Sequence, residues 1–229
     1  QDSFNLAWKI FLTLEKKAHP TLLQSYQLER KPVGDFLIER TDRLFKFMVK
    51  SSIWARLLRR LVLPKIATSP KMRQKFFSML SQTAIHYKDG AICEDEEHLS
   101  LGDFRVGTRA CNFEIITSHL KKSDLHTLTS VPYFTFLLLL PKNVDKKVVK
   151  TAVALKSQLE HFHKAHLLFA SDFDAEDLLT QDYWIVHKPS WTITEPSYVI
   201  LRPDNHVFCL GLLLEIEHGK NSLEKYMPV

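Results

Sequence analysis

Phe134-Thr135-Phe136-Leu137-Leu138-Leu139-Leu140 is the run on which the fold turns. Unbroken apolar chain of this length is the mark of a strand buried on both faces in the middle of a sheet, and Pro141 ends it. Val148 to His163 follows, with Val149, Ala152, Val153, Leu155, Leu159 and Phe162 at helical spacing. His166 to Ala170 reads as a second short strand, Asp172 to Asp182 as an acidic loop or short helix, and Tyr183 to Val186 as a third strand. Ser197 to Arg202 and His206 to Leu210 are strands joined by a tight turn at Pro203-Asp204-Asn205, and a last helix runs from about Leu213 to Tyr226.

The first third of the chain has helical texture. Asp2 and Ser3 suit a first turn, where a carboxylate or hydroxyl meets unpaired N–H groups and the positive end of the helix dipole. Phe4, Trp8, Phe11 and Leu12 recur three or four apart, which predicts one buried face and leaves Lys9, Glu15, Lys16 and Lys17 in water. His19-Pro20 breaks this helix. Thr21 is placed to cap a second through Leu22, Leu23, Tyr26 and Leu28, and Pro32 either kinks it or opens a third. Gly34 to Met48 continues as helix, with Glu39 and Arg43 as a favourable pair four apart. Ser51 to Ile66 is a basic amphipathic helix containing Trp54 and ended by Pro64. Burial in a helical subdomain or at a subunit contact is favoured over a membrane surface, because a helical domain needs core residues. Pro70 to Thr83 is one more helix. From residue 85 to 107 the chain turns polar, with Glu94-Asp95-Glu96-Glu97 and scattered glycines, and reads as a linker or extended arm. Carboxylates so adjacent point in different directions, which favours a solvated loop over a metal site.

Composition narrows the classes. The 229 residues are 45% hydrophobic and 25% charged, ordinary globular material. The net charge of +5 is concentrated between Arg40 and Lys75, so it forms no basic tail, and the strands show no alternation of aromatic and basic residues, which disfavours a nucleic-acid partner. The three cysteines, Cys93, Cys111 and Cys209, are odd in number and far apart, consistent with a reducing cytoplasm and with neither a zinc site nor a disulfide framework. No apolar run approaches the roughly twenty residues of a membrane span. His161, His163 and His166 do not share a helix face, and no Gly-x-Ser-x-Gly elbow occurs.

Two motifs carry a resemblance. Gln1-Asp2-Ser3-Phe4-Asn5-Leu6-Ala7-Trp8-Lys9 resembles the helix that closes the FAD site of the flavin-dependent aromatic hydroxylases, the phenol-hydroxylase-like monooxygenases. Ser25-Tyr26-Gln27-Leu28-Glu29-Arg30-Lys31-Pro32-Val33 resembles that family's Ser-Tyr-Glu-x-Glu-Arg-Arg-Pro-Val segment, with Gln27 and Lys31 as mild departures. Gly107-Thr108-Arg109-Ala110-Cys111-Asn112 is similar to its Gly-x-Arg-Ala-Pro-Asp, with Cys111 and Asn112 in place of proline and aspartate. Leu201-Arg202-Pro203-Asp204-Asn205-His206-Val207 is similar to its Arg-Pro-Asp-Gly-x-Val hairpin. The run of strand, helix, strand, hairpin and helix is the thioredoxin layout, but Lys142-Asn143-Val144-Asp145-Lys146, where an active thioredoxin keeps Cys-x-x-Cys, has no cysteine, so dithiol exchange is excluded. Pro196 stands where such folds keep a cis proline.

The resemblance implies an α/β (α+β) protein in three parts: residues 1–84 as the helical end of an FAD-binding monooxygenase body, 85–107 as a linker, and 108–229 as a redox-inactive thioredoxin-like domain. It implies the C-terminal piece of a larger enzyme that uses FAD, NADPH and O2 to hydroxylate a small aromatic substrate, with subunit contacts through the second domain. Gln1 and Asp2 would lie nearest the flavin; Asn5 either joins them or ties the helix to its neighbours. Arg30 is expected to reach Asp2 or nearby carbonyls, or else to remain a surface arginine. No Gly-x-Gly-x-x-Gly turn occurs among the six glycines, so this stretch alone is not expected to hold FAD or to contain catalytic residues. The rival reading is a non-catalytic interaction module.

Overall fold

The computed structural model describes residues 2–80, 85–87, 100–117, 121–161, 163–169, 184–186 and 193–227. The apolar run forms β5 (Thr135–Leu140), all six residues buried. It pairs in parallel with β6 (Lys164–Phe169) and antiparallel with β8 (Ser197–Leu201), which pairs antiparallel with β9 (Val207–Leu212). On the other side β6 pairs in parallel with β7 (Trp184–Val186), which meets β3 (Glu114–Thr117), itself antiparallel to β4 (Lys122–Asp124). The seven strands run β4-β3-β7-β6-β5-β8-β9, and a separate two-stranded ribbon is made by β1 (Ser100–Leu101) and β2 (Phe104–Arg105). This is a mixed α/β fold, as the sequence leads one to expect.

Strand geometry explains why β5 needs no polar alternation. Successive side chains leave on opposite faces, and both faces are covered. Phe136, Leu138 and Leu140 enter one core with α6 (Lys146–Leu159) and α7 (Ile216–Glu224), whereas Leu137 and Leu139 enter a second core with Phe104, Val106, Ala110 and Leu125. Residue Leu125 opens α5 (Leu125–Leu128), capped by the Asp124 carboxylate on the Thr127 N–H. Within the 85–107 stretch, Leu101, Phe104 and Val106 pack in this second core.

The N-terminal helices join the first core. Trp8, Leu12 and Leu22 pack with Phe134, Phe208 and Ile200, so α1 (Asp2–Leu14) rests on the sheet beside α6 and α7. The Trp8 and Phe134 rings meet edge to face at 5.6 Å, and Phe134 repeats that geometry with Phe208. Near the other end of α1, the His19 N–H donates to the Tyr226 carbonyl at 2.8 Å. Helix α2 (Thr21–Val49) then runs on through Pro32, α3 (Ile53–Thr68) runs through Pro64, and α4 (Pro70–Leu80) follows.

Several expectations need correction. Pro32 opens no new helix and Pro64 ends none: α2 and α3 each continue through their proline, which is exposed in both cases. Thr21 makes no side-chain cap. Phe4 is 55% exposed while Lys9 is fully buried, because the buried stripe of α1 is Asn5, Trp8, Lys9 and Leu12. The Glu39–Arg43 pair forms as expected. Cys93, the acidic run Glu94–Glu97 and the 172–182 segment lie outside the described residues. No cis peptide bond occurs among the described residues, Pro196 included. None of their helices is long and apolar enough to cross a membrane.

The turn between β8 and β9 has one special position. Asn205 holds φ at 62°, a left-handed conformation that asparagine tolerates better than most residues, and its Oδ1 accepts the Thr129 hydroxyl at 2.6 Å. Asn205→Ala therefore places a Cβ residue without a local compensation in that conformation and is expected to destabilise by about 1–2 kcal/mol. Asn205→Gly, which keeps the backbone freedom and loses only the side-chain bond, should be distinctly milder; urea unfolding of both variants checks the order.

Candidate functional site

Four segments converge on one buried point. Helix α1 supplies Asn5, Trp8 and Lys9; α2 supplies Glu29 and Arg30; residue Tyr87 comes from the short stretch before β1; and the β8–β9 turn supplies Arg202, Asp204 and His206. All are at most 6% exposed. Helical spacing explains the first set, since positions 5, 8, 9 and 12 form a single stripe. The turn brings the last set in, because Arg202 N–H donates to the His206 carbonyl at 2.9 Å and closes a compact loop around Asp204.

The centre is a fork between Arg202 and Glu29. Arg202 Nη1 donates to Glu29 Oε1 at 2.7 Å and Nη2 to Oε2 at 2.9 Å. The same guanidinium serves Asp204, with Nε to Oδ1 at 3.0 Å and Nη2 to Oδ2 at 2.7 Å. Lys9 Nζ donates to Glu29 Oε2 at 2.9 Å, and Asn5 Nδ2 reaches Glu29 Oε2 at 2.8 Å, Asp204 Oδ2 at 3.2 Å and the Tyr87 hydroxyl at 3.3 Å. Trp8 and Tyr87 each present a ring to the guanidinium, at 5.3 and 5.0 Å. Two cations and two carboxylates thus cancel in a space sealed from water, the condition under which buried charge is tolerable.

The titration behaviour follows from that balance. Burial pushes the Glu29 carboxyl up, yet the Arg202 guanidinium overrides it and holds Glu29 below the usual carboxylate range. Asp204 is also held well below the usual carboxylate range, again against its burial, by Arg202 and by the His206 side chain. Lys9 goes the other way: burial brings its ammonium down to about 8 despite the pull of Glu29. Tyr87 is raised, chiefly by burial.

Beside the cluster lies a small cleft lined by Phe4, Asn5, Tyr87, Arg109, Asp204 and His206. Asn5 Oδ1 and Arg109 Nε, both buried, have no partner among the described residues. Gly107 lets the chain pass close to Tyr87: its φ is +76°, and a Cβ there would stand 2.6 Å from the Tyr87 carbonyl. In the degraded motif that it opens, Asn112 still accepts the His126 N–H at 3.0 Å.

The first turn of α1 is open. Asp2, Ser3 and Phe4 are exposed, and Asp2 pairs with Arg30 Nε, as the sequence leads one to expect. Arg30 also donates to the Tyr87 hydroxyl at 3.2 Å. Gln1 lies outside the described residues.

A sequence model of the FAD-binding domain family matches residues 1–41, which hold Asn5, Lys9, Glu29 and Arg30. An FAD-dependent monooxygenase of Aspergillus thermomutatus is 51% identical over 43 residues, 19% of this chain and 7% of its own. Over its first 41 residues the chain is similar to FAD-dependent monooxygenases. A 3-(3-hydroxy-phenyl)propionate/3-hydroxycinnamic acid hydroxylase of Escherichia coli is 29% identical over 97 residues, 42% of this chain and 18% of that enzyme. The hydroxylase fold extends to the whole molecule: the anhydrotetracycline hydroxylase OxyS of Streptomyces rimosus superposes with a TM-score of 0.65 at 20% identity, covering 100% of this chain and 40% of its own. The chain therefore spans well under half the length of these hydroxylases.

The residues present fit one edge of a flavin site and no more. A helix start whose first residues are exposed suits an anionic or carbonyl edge of a ring. The six glycines, at 34, 90, 102, 107, 211 and 219, supply no phosphate cradle. Of the three sequence candidates, Asp2 lies at that open turn, whereas Asn5 faces inward, onto Glu29, Tyr87 and Asp204. Sequence reasoning passed over Lys9, Glu29, Arg202 and Asp204 as a group, although each sits inside a motif that carried the hydroxylase resemblance. For Tyr87 the sequence offers no signal.

Lys9 gives the cluster a measurable pH signature. Its folded pKa of about 8 lies below the ordinary 10.5, so between these values the unfolded chain binds more protons and stability rises with pH. From pH 7.5 to 9.5 the wild type should gain about 1–2 kcal/mol relative to Lys9→Met, whose curve lacks this term. Urea unfolding at half-unit pH steps measures the difference, and a falling difference would contradict the assignment.

Proposed function

We propose that the chain is the C-terminal part of an FAD-dependent monooxygenase that uses NADPH and O2 to hydroxylate a small aromatic substrate. One observation carries this reading: the FAD-family match falls on residues 1–41, and within it α1 presents an open first turn while its inner face is locked to the rest of the molecule. The flavin, when bound, would supply the oxygen chemistry, and this chain would supply the fixed edge against which it sits. Gln1 and Asp2 are read as the flavin-edge residues. Their part is to present backbone N–H groups and the positive helix end toward negative charge on the ring. Arg30 holds Asp2 and so keeps that turn in place.

The division into residues 1–84, 85–107 and 108–229 belongs to the same reading. The last part is taken as a thioredoxin-like scaffold: β5-α6-β6 followed by the β8–β9 hairpin and α7 supports that layout. Lys142–Lys146 carries no cysteine for dithiol exchange, and the scaffold is read as serving assembly, homo-oligomeric contacts included, in a reducing cytoplasm. An assembly-only role has one observation in its favour, the apolar side chains that α2, α3 and α4 leave exposed, among them Phe36, Phe45, Trp54 and Phe77.

The intact gene product, with whatever precedes Gln1, should purify yellow with a flavin absorbance spectrum, and phenolic compounds should accelerate its NADPH oxidation with matching O2 uptake. A colourless product that takes up no FAD would overturn the enzymatic reading in favour of assembly.

A further inference from the structure

The cluster around Glu29 is more costly than fold stability asks for. Four charged groups lie in the interior, and apolar side chains of similar volume commonly stabilise such a place as well or better. Their best-attested return is register, and the geometry is built for it. Glu29 and Asp204 come from residues 24 and 199 positions away from Asn5 in the chain, and both converge on its amide nitrogen. Asn5 is held wholly by that donor end, its oxygen lacking a partner among the described residues. Lys9, one turn along the same stripe, fixes the helix a second time through Glu29.

Rotation of α1 by one residue, about 100°, would bring Phe4 or Leu6 to the place of Asn5 and take the Asn5 amide and the Lys9 ammonium away from the two buried carboxylates. Translation is equally restricted, because the fork from Arg202 fixes Glu29 in the plane of the guanidinium. Trp8, between Asn5 and Lys9, is caught by the same guanidinium.

We infer that Arg202 and Asp204, far from the helix in sequence, are positioning residues that set the rotation and depth of α1. They thereby place the open first turn that receives the flavin. The last step rests on the functional reading above; the control of α1 does not. Arg202 acts through Glu29 and Asp204, and both of these hold Asn5.

Hydrogen–deuterium exchange on the 229-residue chain tests the control of α1. In Asp204→Asn, and in Arg202→Met if it folds, the amides of residues 6–12 should exchange about tenfold faster while those of β5 and β6 keep their wild-type rates. The charge-balanced pair Glu29→Gln with Arg202→Gln guards against loss of folding by the single variant and should show the same local loosening. Unchanged exchange in α1, or acceleration shared equally by the central strands, would overturn the inference by reducing the cluster to general stability or to none. In the intact gene product the same substitutions should weaken FAD binding about tenfold, read by flavin fluorescence. Local loosening with unaltered FAD affinity would overturn the link to the cofactor. A wild-type product that binds no FAD would sink the flavin reading, leaving the exchange result to decide the positioning of α1.

Discussion

The forked contact between Arg202 and Glu29 is the constraint that the rest of the molecule respects. It joins the second helix to the far hairpin across 173 residues of sequence, and every other member of the cluster takes its place from it. With Arg202 removed, two carboxylates would lie in the interior with one ammonium, held on Glu29, to balance them, a loss of the kind that costs about 3–5 kcal/mol. The aromatic rings of Trp8 and Tyr87 exclude water from the guanidinium and make the contact sensitive to its surroundings.

Much of the fold could be read from the chain because it rests on local rules. The 134–140 run had to be a central strand, since only a doubly covered sheet absorbs so many consecutive apolar side chains, and the turn at Pro203-Asp204-Asn205 announces itself by residue type. The helices were legible as helices. Their faces were less so: Lys9 looked solvent-bound because periodicity sorts residues by polarity, and it takes a partner 20 residues away, itself held by one far beyond, to make a buried lysine tolerable. Phe4 erred in the opposite sense for the same reason.

The candidate site was legible only in pieces. The resemblance to aromatic hydroxylases picked out Asp2, Asn5, Arg30 and the hairpin separately, and the Asp2–Arg30 pair could be expected from it. That Glu29, Lys9 and Asp204 form one object with Asn5 could not, because nothing in a motif tells which of its charges face inward. Proline misled for a different cause. Pro32 is expected to kink its helix or open another and Pro64 to end one, yet each lies at an exposed position inside a continuing helix.

The length of chain between Glu29 and Arg202 has a consequence for biosynthesis. At about 5–20 residues per second, the ribosome delivers the hairpin about 9–35 s after the helices that need it. During that interval Lys9, Glu29 and Asn5 remain hydrated, and the inner side of α1 is less sticky than a purely apolar stripe would be. Charges that look extravagant in the finished molecule thus act as a temporary solubility tag on the nascent one, withdrawn when the last strands arrive.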